Sequence, residues 1–266
     1  MINKHRSGIR GGPDMKRILS VLAVFLVLFL AAGTAMADPL VLDDDLTDTL
    51  VVLYNPDDPS AGSYTYTYRY PHVSENEPDA GKINPFYEDQ IYTLETNIHF
   101  MADGYIDSGK NVTVNVTYQC TCNNDRFFSV LVRKDSVIGD DIRTVWSGHT
   151  FSRQDDLSDS TFDLPRMLGI LSAGEQDEYQ LARQTEKASR IVRRMIMDQI
   201  AENRSGLPYY ADFSEDDLLD VFYPEEDFYL DGDGNPVFYL EPGIAADESA
   251  GYLFFPVRLE DIADEL

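Results

Sequence analysis

Tyrosine occupies every second position of the run SYTYTYRY, from Tyr64 to Tyr70, with threonine or arginine between. A period of two places alternate side chains on opposite faces of a β-strand, and tyrosine and threonine both favour strands. The run NVTVNVTYQCTC repeats the alternation from residue 111 to 122. The sequence therefore predicts two strands, each with one apolar face. The tyrosine face is favoured as the packed side of a sheet, and a platform for stacking sugar rings is the alternative.

A helical period follows the tyrosine strand. Asn84 before Pro85 is typical of an N-cap followed by proline at the first helical position, and Gly104 is a stop signal. The apolar residues between them step by three or four and predict one buried helix face. These residues are Ile83, Tyr87, Ile91, Leu94 and Ile98.

A longer helix is predicted from residue 176 to 203, with Gly206 and Pro208 beyond its end. Its apolar stripe comprises Ala188, Ile191, Val192, Met195, Ile196 and Ile200, flanked by Arg190, Arg193 and Arg194. Further strands are predicted at 50–54, 126–134 and 142–153 and in the C-terminal tail, and Ser214 with Asp217 resembles a capping box for a short helix. Because strands and helices are segregated, the expected class is α+β, a mostly antiparallel sheet packed with one long and one medium helix.

The first 37 residues have the form of a secretory signal peptide. Lys16 and Arg17 precede the apolar run ILSVLAVFLVLFLAA, and the sequence AMA follows at 35–37. The apolar run is shorter than the ~20 residues of a spanning helix, so cleavage after Ala37 is predicted rather than retention as an anchor. Met15 is an alternative translation start, in which case residues 1–14 would not belong to the protein. The expected organisation is a signal peptide over 1–37, an acidic segment over 38–49 and a single α+β domain over 50–266, secreted or extracellular at the cell envelope.

Acidic residues dominate the composition. The chain has 47 acidic and 21 basic residues and a formal net charge of −26. Removing residues 1–37 leaves 46 acidic and 16 basic residues, a net charge of −30. Such a charge repels nucleic acid and favours basic proteins or cations as partners, although high net charge also serves solubility alone.

Cys120 and Cys122 continue the alternation of the second strand. In an extended strand their Cβ atoms would lie ~6.5 Å apart, whereas a disulfide needs ~3.8 Å. A metal site needs more ligands than this pair supplies, and no histidine is close in sequence. We therefore predict two buried thiols on the same face and no bridge.

The stretch DGDGN, from Asp231 to Asn235, matches the opening of a calcium loop. With Asp231 as the first ligand, the sixth position should be glycine and the twelfth a bidentate glutamate. These positions hold Pro236 and Pro242. The flanking FYL and VFYL runs instead predict a hairpin with a glycine-rich turn. Weak calcium binding by the turn carboxylates remains an alternative.

Three histidines lie beyond the signal peptide, at His72, His99 and His149. The sequence has no Gly-x-Ser-x-Gly elbow, no His-Glu-x-x-His and no phosphate-binding glycine loop. No catalytic, cofactor-binding or metal-binding residue is predicted, and we expect a protein that is not an enzyme. The alternative is a cell-wall hydrolase, in which His149 would meet a carboxylate and a hydroxyl; paired carboxylates for glycoside hydrolysis also stay open among so many acids.

The order of several short motifs resembles a known family. YRYPHV and KINPFYEDQI are followed by a strand pair, SGHTF, TFDL, a long helix and the tail DFYLDGDGNPVFYLEPGIAADESAGYLFFPVRLEDI. This order resembles the secreted domain of unknown function 3298, over about residues 62–260. That domain forms the ectodomain of a lysozyme-sensing anti-sigma factor and accompanies a peptidoglycan deacetylase.

The chain departs from the family pattern in two respects. Ser147-Gly148-His149 stands where the family often has Gly-Gly-Ala-His, so a role inherited through that motif is in doubt. Neither a sigma-binding segment before the apolar run nor a deacetylase domain is expected. The resemblance therefore implies a non-catalytic, envelope-associated binding domain whose partner is a basic protein such as lysozyme, or peptidoglycan. An acidic calcium-responsive surface protein is a further alternative, and the sequence predicts no binding residues and no oligomeric state.

Overall fold

The computed structural model describes residues 38–106, 110–154, 161–170 and 178–266. Its larger sheet has the strand order β1-β2-β3-β4-β5. All neighbouring strands are antiparallel except β2 and β3, which are parallel because helix α1 connects them across the sheet. The strands are β1 (Leu46–Leu53), β2 (Ser63–Tyr70), β3 (Val112–Asn123), β4 (Phe127–Ile138) and β5 (Asp141–Ser152), and α1 spans Ala80–Asp103.

The four tyrosines of β2 form the packed side of this sheet, as favoured from the sequence. Tyr64 is 3% exposed, Tyr87 of α1 is fully buried, and the rings of Tyr70 and Tyr87 lie 5.4 Å apart. The apolar stripe of α1 faces the sheet as predicted, with Ile91 only half-buried. The sugar-platform alternative for this stripe is therefore wrong, because the ring faces are covered by the helix.

Helix α1 begins at Ala80, five residues before Pro85, the predicted first helical residue. Asn84 is not an N-cap: it is buried, and its side-chain amide accepts from the Val73 N–H (2.9 Å) and donates to the Val73 carbonyl (2.8 Å). Pro85 is tolerated inside the helix because the carbonyl that its missing N–H would bind belongs to Gly81, an exposed residue that water can reach.

Strand β1 also differs from its prediction as a buried strand over 50–54. It starts at Leu46, pairs only with β2, and buries only Val52 among its residues. An edge strand has one neighbour and less cover, which explains why Val51 and Leu53 stay exposed and why Leu46 and Leu50 are only partly buried. Within the predicted acidic segment 38–49, Leu40 is buried; its backbone N–H donates to the side-chain Oδ1 of Asn123, and the Asn123 Nδ2 donates to the Leu40 carbonyl.

A bulge in β3 corrects the prediction for the cysteines. Cys120 is opposite Val130 and Cys122 is opposite Ser129, so Thr121 is the extra residue. A bulge reverses the alternation of side chains, and the two thiols therefore lie on opposite faces of the sheet. Cys120 is exposed and Cys122 is 2% exposed; both are free thiols, as expected.

A second sheet and a long helix complete the fold. The sheet has the order β6-β7-β8, all antiparallel, and packs against the apolar stripe of α3. Arg193, predicted to flank that stripe, is buried and pairs with Glu186 at 2.9 Å. The elements are α2 (Leu164–Met167), α3 (Glu178–Glu202), β6 (Phe228–Leu230), β7 (Pro236–Leu240), β8 (Leu253–Pro256) and α4 (Leu259–Glu265).

The α+β class with a mostly antiparallel arrangement is confirmed. The capping box at Ser214 opens only a 3-10 turn over Asp216–Leu218, in which Asp217 accepts from the backbone N–H and hydroxyl of Ser214. The first two residues of the predicted long helix, 176 and 177, lie outside the described residues. None of the helices within the described ranges combines the length and apolar character needed to cross a bilayer.

Candidate functional site

A cleft of about 520 Å³ runs beside β5, between the two sheets. One wall is Ser147-Gly148-His149 of β5. The other wall carries most of the charge. It is lined by Asp163, Arg166, Glu225, Glu226, Asp227 and Tyr239.

Gly148 brings the two sheets together. A Cβ at this position would lie 1.7 Å from the carbonyl oxygen of Phe228, so only glycine allows this approach of β6 to β5. The Gly148 N–H, on the open edge of β5, donates to the Tyr239 hydroxyl at 3.1 Å. Gly148 therefore has a structural role, which the sequence did not predict because the contact with Phe228 joins residues far apart in the chain.

His149 points to the opposite face of β5, toward α1. Its ring centroid lies 5.1 Å from that of Phe86 and 5.8 Å from that of Tyr87. Burial lowers the pKa of His149 to about 4, so the ring is neutral near pH 7. Its buried Nδ1 makes no hydrogen bond with any described residue, and the carboxylate and hydroxyl partners expected for a hydrolase are not joined to it there.

Asp227 is the most perturbed carboxyl group of the cleft. Burial raises its pKa to about 6, and the nearby carboxylates of Glu226, Glu241 and Glu225 act in the same direction. The backbone N–H of Tyr223 donates to Asp227 Oδ2 at 2.7 Å and opposes part of this rise. The group therefore takes up a proton in mildly acidic solution.

The DGDGN stretch is the predicted hairpin turn. Asp231 Oδ1 accepts from the backbone N–H groups of Asp233 (3.0 Å) and Asn235 (2.9 Å), and Gly234 has a φ of +84°. The carboxylate that would be the first calcium ligand is thus used to hold the turn. Within the described ranges, no three His, Cys, Asp or Glu side chains lie close enough to hold a metal ion.

The two other histidines do not join the cleft. His72 is half-buried after β2, with Nε2 3.5 Å from a carboxylate oxygen of Glu75. His99 is exposed on α1. The structure therefore brings together none of the three histidines that it describes.

The chain segment after α3 forms an acidic surface, which the sequence did not predict as a site. Residues 205–257 contain 13 acidic residues and no basic residue, although the overall charge already hinted at such a segment. Within it, the part from 210 to 223 also exposes apolar side chains, and we call it the 210–223 surface. The exposed fractions are 43% for Tyr210, 48% for Leu219, 45% for Val221 and 56% for Tyr223.

The 210–223 surface is anchored from beneath. Leu218 and Phe222 are almost completely buried in the second core, and the Tyr210 N–H donates to the Ala245 carbonyl at 2.9 Å. Because the backbone is anchored, the exposed side chains keep a fixed spatial arrangement, and less conformational entropy is lost when a partner binds.

Comparisons with known proteins were informative only at the level of structure. No family model matches the sequence, and no curated protein matches it. A crystal structure of a DUF3298 family member from Bacteroides fragilis NCTC 9343 is similar, with a TM-score of 0.45 and 9% identity, over 85% of this chain and 94% of that one. A DUF3298 family protein from Pseudomonas aeruginosa PAO1 has a TM-score of 0.45 and 13% identity, over 86% and 94%. Both belong to the family that the sequence motifs resemble.

Proposed function

We propose that this chain is an extracellular, non-catalytic domain that binds a basic protein of the lysozyme type through the 210–223 surface. The observation that carries the proposal is the coincidence of exposed apolar groups with a stretch that has 13 acidic residues and no basic one. The family resemblance supports the choice of partner. The predicted signal peptide supports the location outside the cell.

The two components of the surface act differently. Carboxylates such as Asp212, Asp216 and Asp220 attract a basic partner over a distance and increase the association rate. Apolar groups such as Leu219 and Tyr223 gain free energy when the partner removes them from water. Charge alone gives weak and unselective binding, so both components are needed for a specific complex.

His149 has no part in this proposal. Its ring is packed against Phe86 and Tyr87, and its buried Nδ1 makes no hydrogen bond with a described residue. Asp227 and the glutamates of the cleft add negative charge beside the 210–223 surface, which is consistent with attraction of a cation-rich partner.

The test is calorimetric titration of the purified protein with hen lysozyme at physiological salt. Cytochrome c, another small basic protein, serves as the control for general charge attraction. We expect lysozyme to bind, and we expect cytochrome c to bind at least about tenfold more weakly, a difference of about 1.4 kcal/mol. Absence of lysozyme binding, or equal affinity for both proteins, would contradict the proposal.

Matched variants locate the surface. Asp216→Asn with Asp220→Asn should slow association, and Leu219→Ser should speed dissociation. The control changes lie on α1: Glu88→Gln with Asp89→Asn for charge, and Tyr92→Ser for exposed apolar area. Equal losses in the α1 variants would show that the 210–223 surface is not the site.

The location has its own test. N-terminal sequencing of the protein released by its producing cells should begin at Asp38, because cleavage is predicted after Ala37. Recovery of the chain only with residues 16–37 attached would contradict a secreted domain without affecting the binding experiment.

A further inference from the structure

A second groove, of about 710 Å³, lies on the side of β5 that faces the second sheet. Aromatic rings and charged side chains share its lining, and its volume is within the range of small-ligand sites. We call it the aromatic groove. Its main members are Trp146, Tyr252 and Phe254, with Arg133, Arg143, Glu241 and Glu248.

The three rings make a corner. Tyr252 and Phe254 lie within 27° of parallel, with centroids 6.5 Å apart. Trp146 stands at 65° to Tyr252 and at 87° to Phe254, at centroid distances of 6.1 and 6.2 Å. Phe254 is 42% exposed, so part of the corner is open to solvent. This differs from the tyrosine stripe of β2, whose rings are buried.

The corner is held in place by the edge of β5. The backbone N–H of Trp146 donates to the Tyr252 hydroxyl at 3.2 Å, and that hydroxyl donates to the Thr144 carbonyl oxygen at 3.4 Å. The Arg133 guanidinium lies 5.8 Å from the centre of the Trp146 ring. A ligand therefore meets rings that are already positioned, and little side-chain entropy is lost when it binds.

The rim supplies hydrogen-bonding groups of both kinds. Arg143 and Glu241 are exposed, and neither side chain makes a hydrogen bond or ion pair with the part of the chain that the structure describes, although both act electrostatically on the Tyr252 hydroxyl. Arginine offers five donors and a carboxylate offers only acceptors. Hydroxyl groups of a ligand, which donate and accept at once, match such a mixed rim better than a purely acidic or purely basic molecule does.

We propose that the aromatic groove binds a carbohydrate chain. A pyranose ring has an apolar C–H face that packs on the electron-rich face of an aromatic ring, here Phe254 or Trp146. Its hydroxyls bond to Arg143 and Glu241. This inference does not depend on the protein partner proposed above, because the groove and the 210–223 surface share no residue.

Trp146 is the only tryptophan in the chain, so its fluorescence reports directly on the groove. We suggest titrating the purified protein with N-acetylglucosamine hexamers and, separately, with glycan strands in which N-acetylmuramic acid alternates. A saturable change in tryptophan emission with either sugar is expected. A stronger response to the muramic acid strands would identify a carboxylate-bearing sugar, bound by Arg143, as the source.

Phe254→Ala and Arg143→Ala should each weaken binding by about tenfold, equivalent to about 1.4 kcal/mol, since each removes one recognised group. Phe100→Ala, an 80% exposed aromatic on α1, is the matched control and should leave the response unchanged. Circular dichroism checks that each variant is folded.

Three outcomes would overturn the inference. The first is no change in emission with either sugar at millimolar concentration. The second is an unchanged affinity in both Phe254→Ala and Arg143→Ala, which would place binding elsewhere. The third is a response to a proline-rich peptide and to neither sugar, which would assign the groove to peptides.

Discussion

The two faces of β5 are built on opposite principles, and adjacent residues show it. His149 lies opposite Val130 and fills space against α1 with its ring, whereas Gly148 lies opposite Leu131 and must leave space for the backbone of β6. On the helix face, the His149 ring packs against the rings of Phe86 and Tyr87. On the other face, tyrosine hydroxyls reach the backbone of β5, from Tyr239 to Gly148 and from Tyr252 to Trp146.

The difference shows how one edge strand can serve two purposes. An unpaired edge exposes N–H and C=O groups that would otherwise attract another strand. Here the hydroxyls of the second sheet satisfy two of those N–H groups without adding a sixth strand. The helix face gives stability through packing, and the opposite face fixes the position of the second sheet and of both grooves.

The largest effect is expected from adding a methyl group to the second-sheet face. In Gly148→Ala the new Cβ would lie 1.7 Å from the Phe228 carbonyl oxygen, and both partners are backbone, so β6 must move away. We expect a loss of about 4 kcal/mol or more in the free energy of unfolding, measured by chemical denaturation.

Gly232→Ala is the matched control for this change. A Cβ at Gly232, in the hairpin turn, would meet nothing within 4 Å. Its stability should therefore stay within about 0.5 kcal/mol of the parent. Similar stabilities for the two variants would show that the close approach of β5 and β6 is not essential.

On the helix face, the expected effect depends on pH. The pKa of His149 is lowered by burial from 6.5 to about 4, so the neutral ring stabilises the fold above pH 6.5 and this stability is lost as the pH falls toward 4. In His149→Phe that loss should be absent. The difference in unfolding free energy between variant and parent should change by about 2–3 kcal/mol over this window.

The measurement is urea denaturation at several pH values from 4 to 7, with His99→Phe as the control, because His99 is exposed on α1. If the difference in unfolding free energy between His149→Phe and the parent stays constant from pH 4 to 7, His149 is not buried as a neutral ring.

A smaller effect is expected from the hydroxyls at the edge of β5. Tyr239→Phe keeps the ring but leaves the Gly148 N–H without its acceptor, which lies at 3.1 Å in the parent. This donor is only partly buried, so losing its partner should cost about 1–2 kcal/mol, toward the lower end of the range for buried groups. Tyr210→Phe, which removes an exposed hydroxyl, should change the unfolding free energy by less than about 0.5 kcal/mol. Equal changes in unfolding free energy for Tyr239→Phe and Tyr210→Phe would mean that the Tyr239 hydroxyl does not stabilise the edge of β5.

Much of the helix face could be predicted from the sequence because its signals are periodic. The tyrosine alternation of β2 and the three- and four-residue steps of α1 each specify a buried face, and both are confirmed. Periodicity fails where one residue breaks it. Thr121 forms a bulge that moves Cys122 to the other face, and nothing in NVTVNVTYQCTC marks the extra residue.

The second-sheet face was harder to predict because its contacts join residues distant in sequence. Gly148 meets Phe228, and Trp146 meets Tyr252, about a hundred residues further along the chain. The hairpin around DGDGN was predictable, since its turn chemistry is local. The aromatic groove was not, because its members lie on different strands and none stands out within its own segment.

The smallest expected effect has the opposite sign and comes from the acidic wall of the cleft. The pKa of Asp227 is raised by burial to about 6, so its protonated form is favoured in the fold; the associated stability is present below pH 4 and is lost as the pH rises through 6. Asp227→Asn keeps an oxygen to accept from the Tyr223 N–H and removes the buried charge. Because solvent partly screens this group, we expect the free energy of unfolding to rise by only about 1 kcal/mol at pH 7 and not at all below pH 4.

Glu226→Gln, at an exposed neighbour, is the control for this variant. An increase in the stability of Asp227→Asn that persists below pH 4 would show that burial of charge is not its cause. Over the same pH range the slopes of Asp227 and His149 have opposite signs, so Asp227 offsets only part of the larger His149 effect in the parent. The loss of stability toward low pH should therefore be steeper in Asp227→Asn than in the parent.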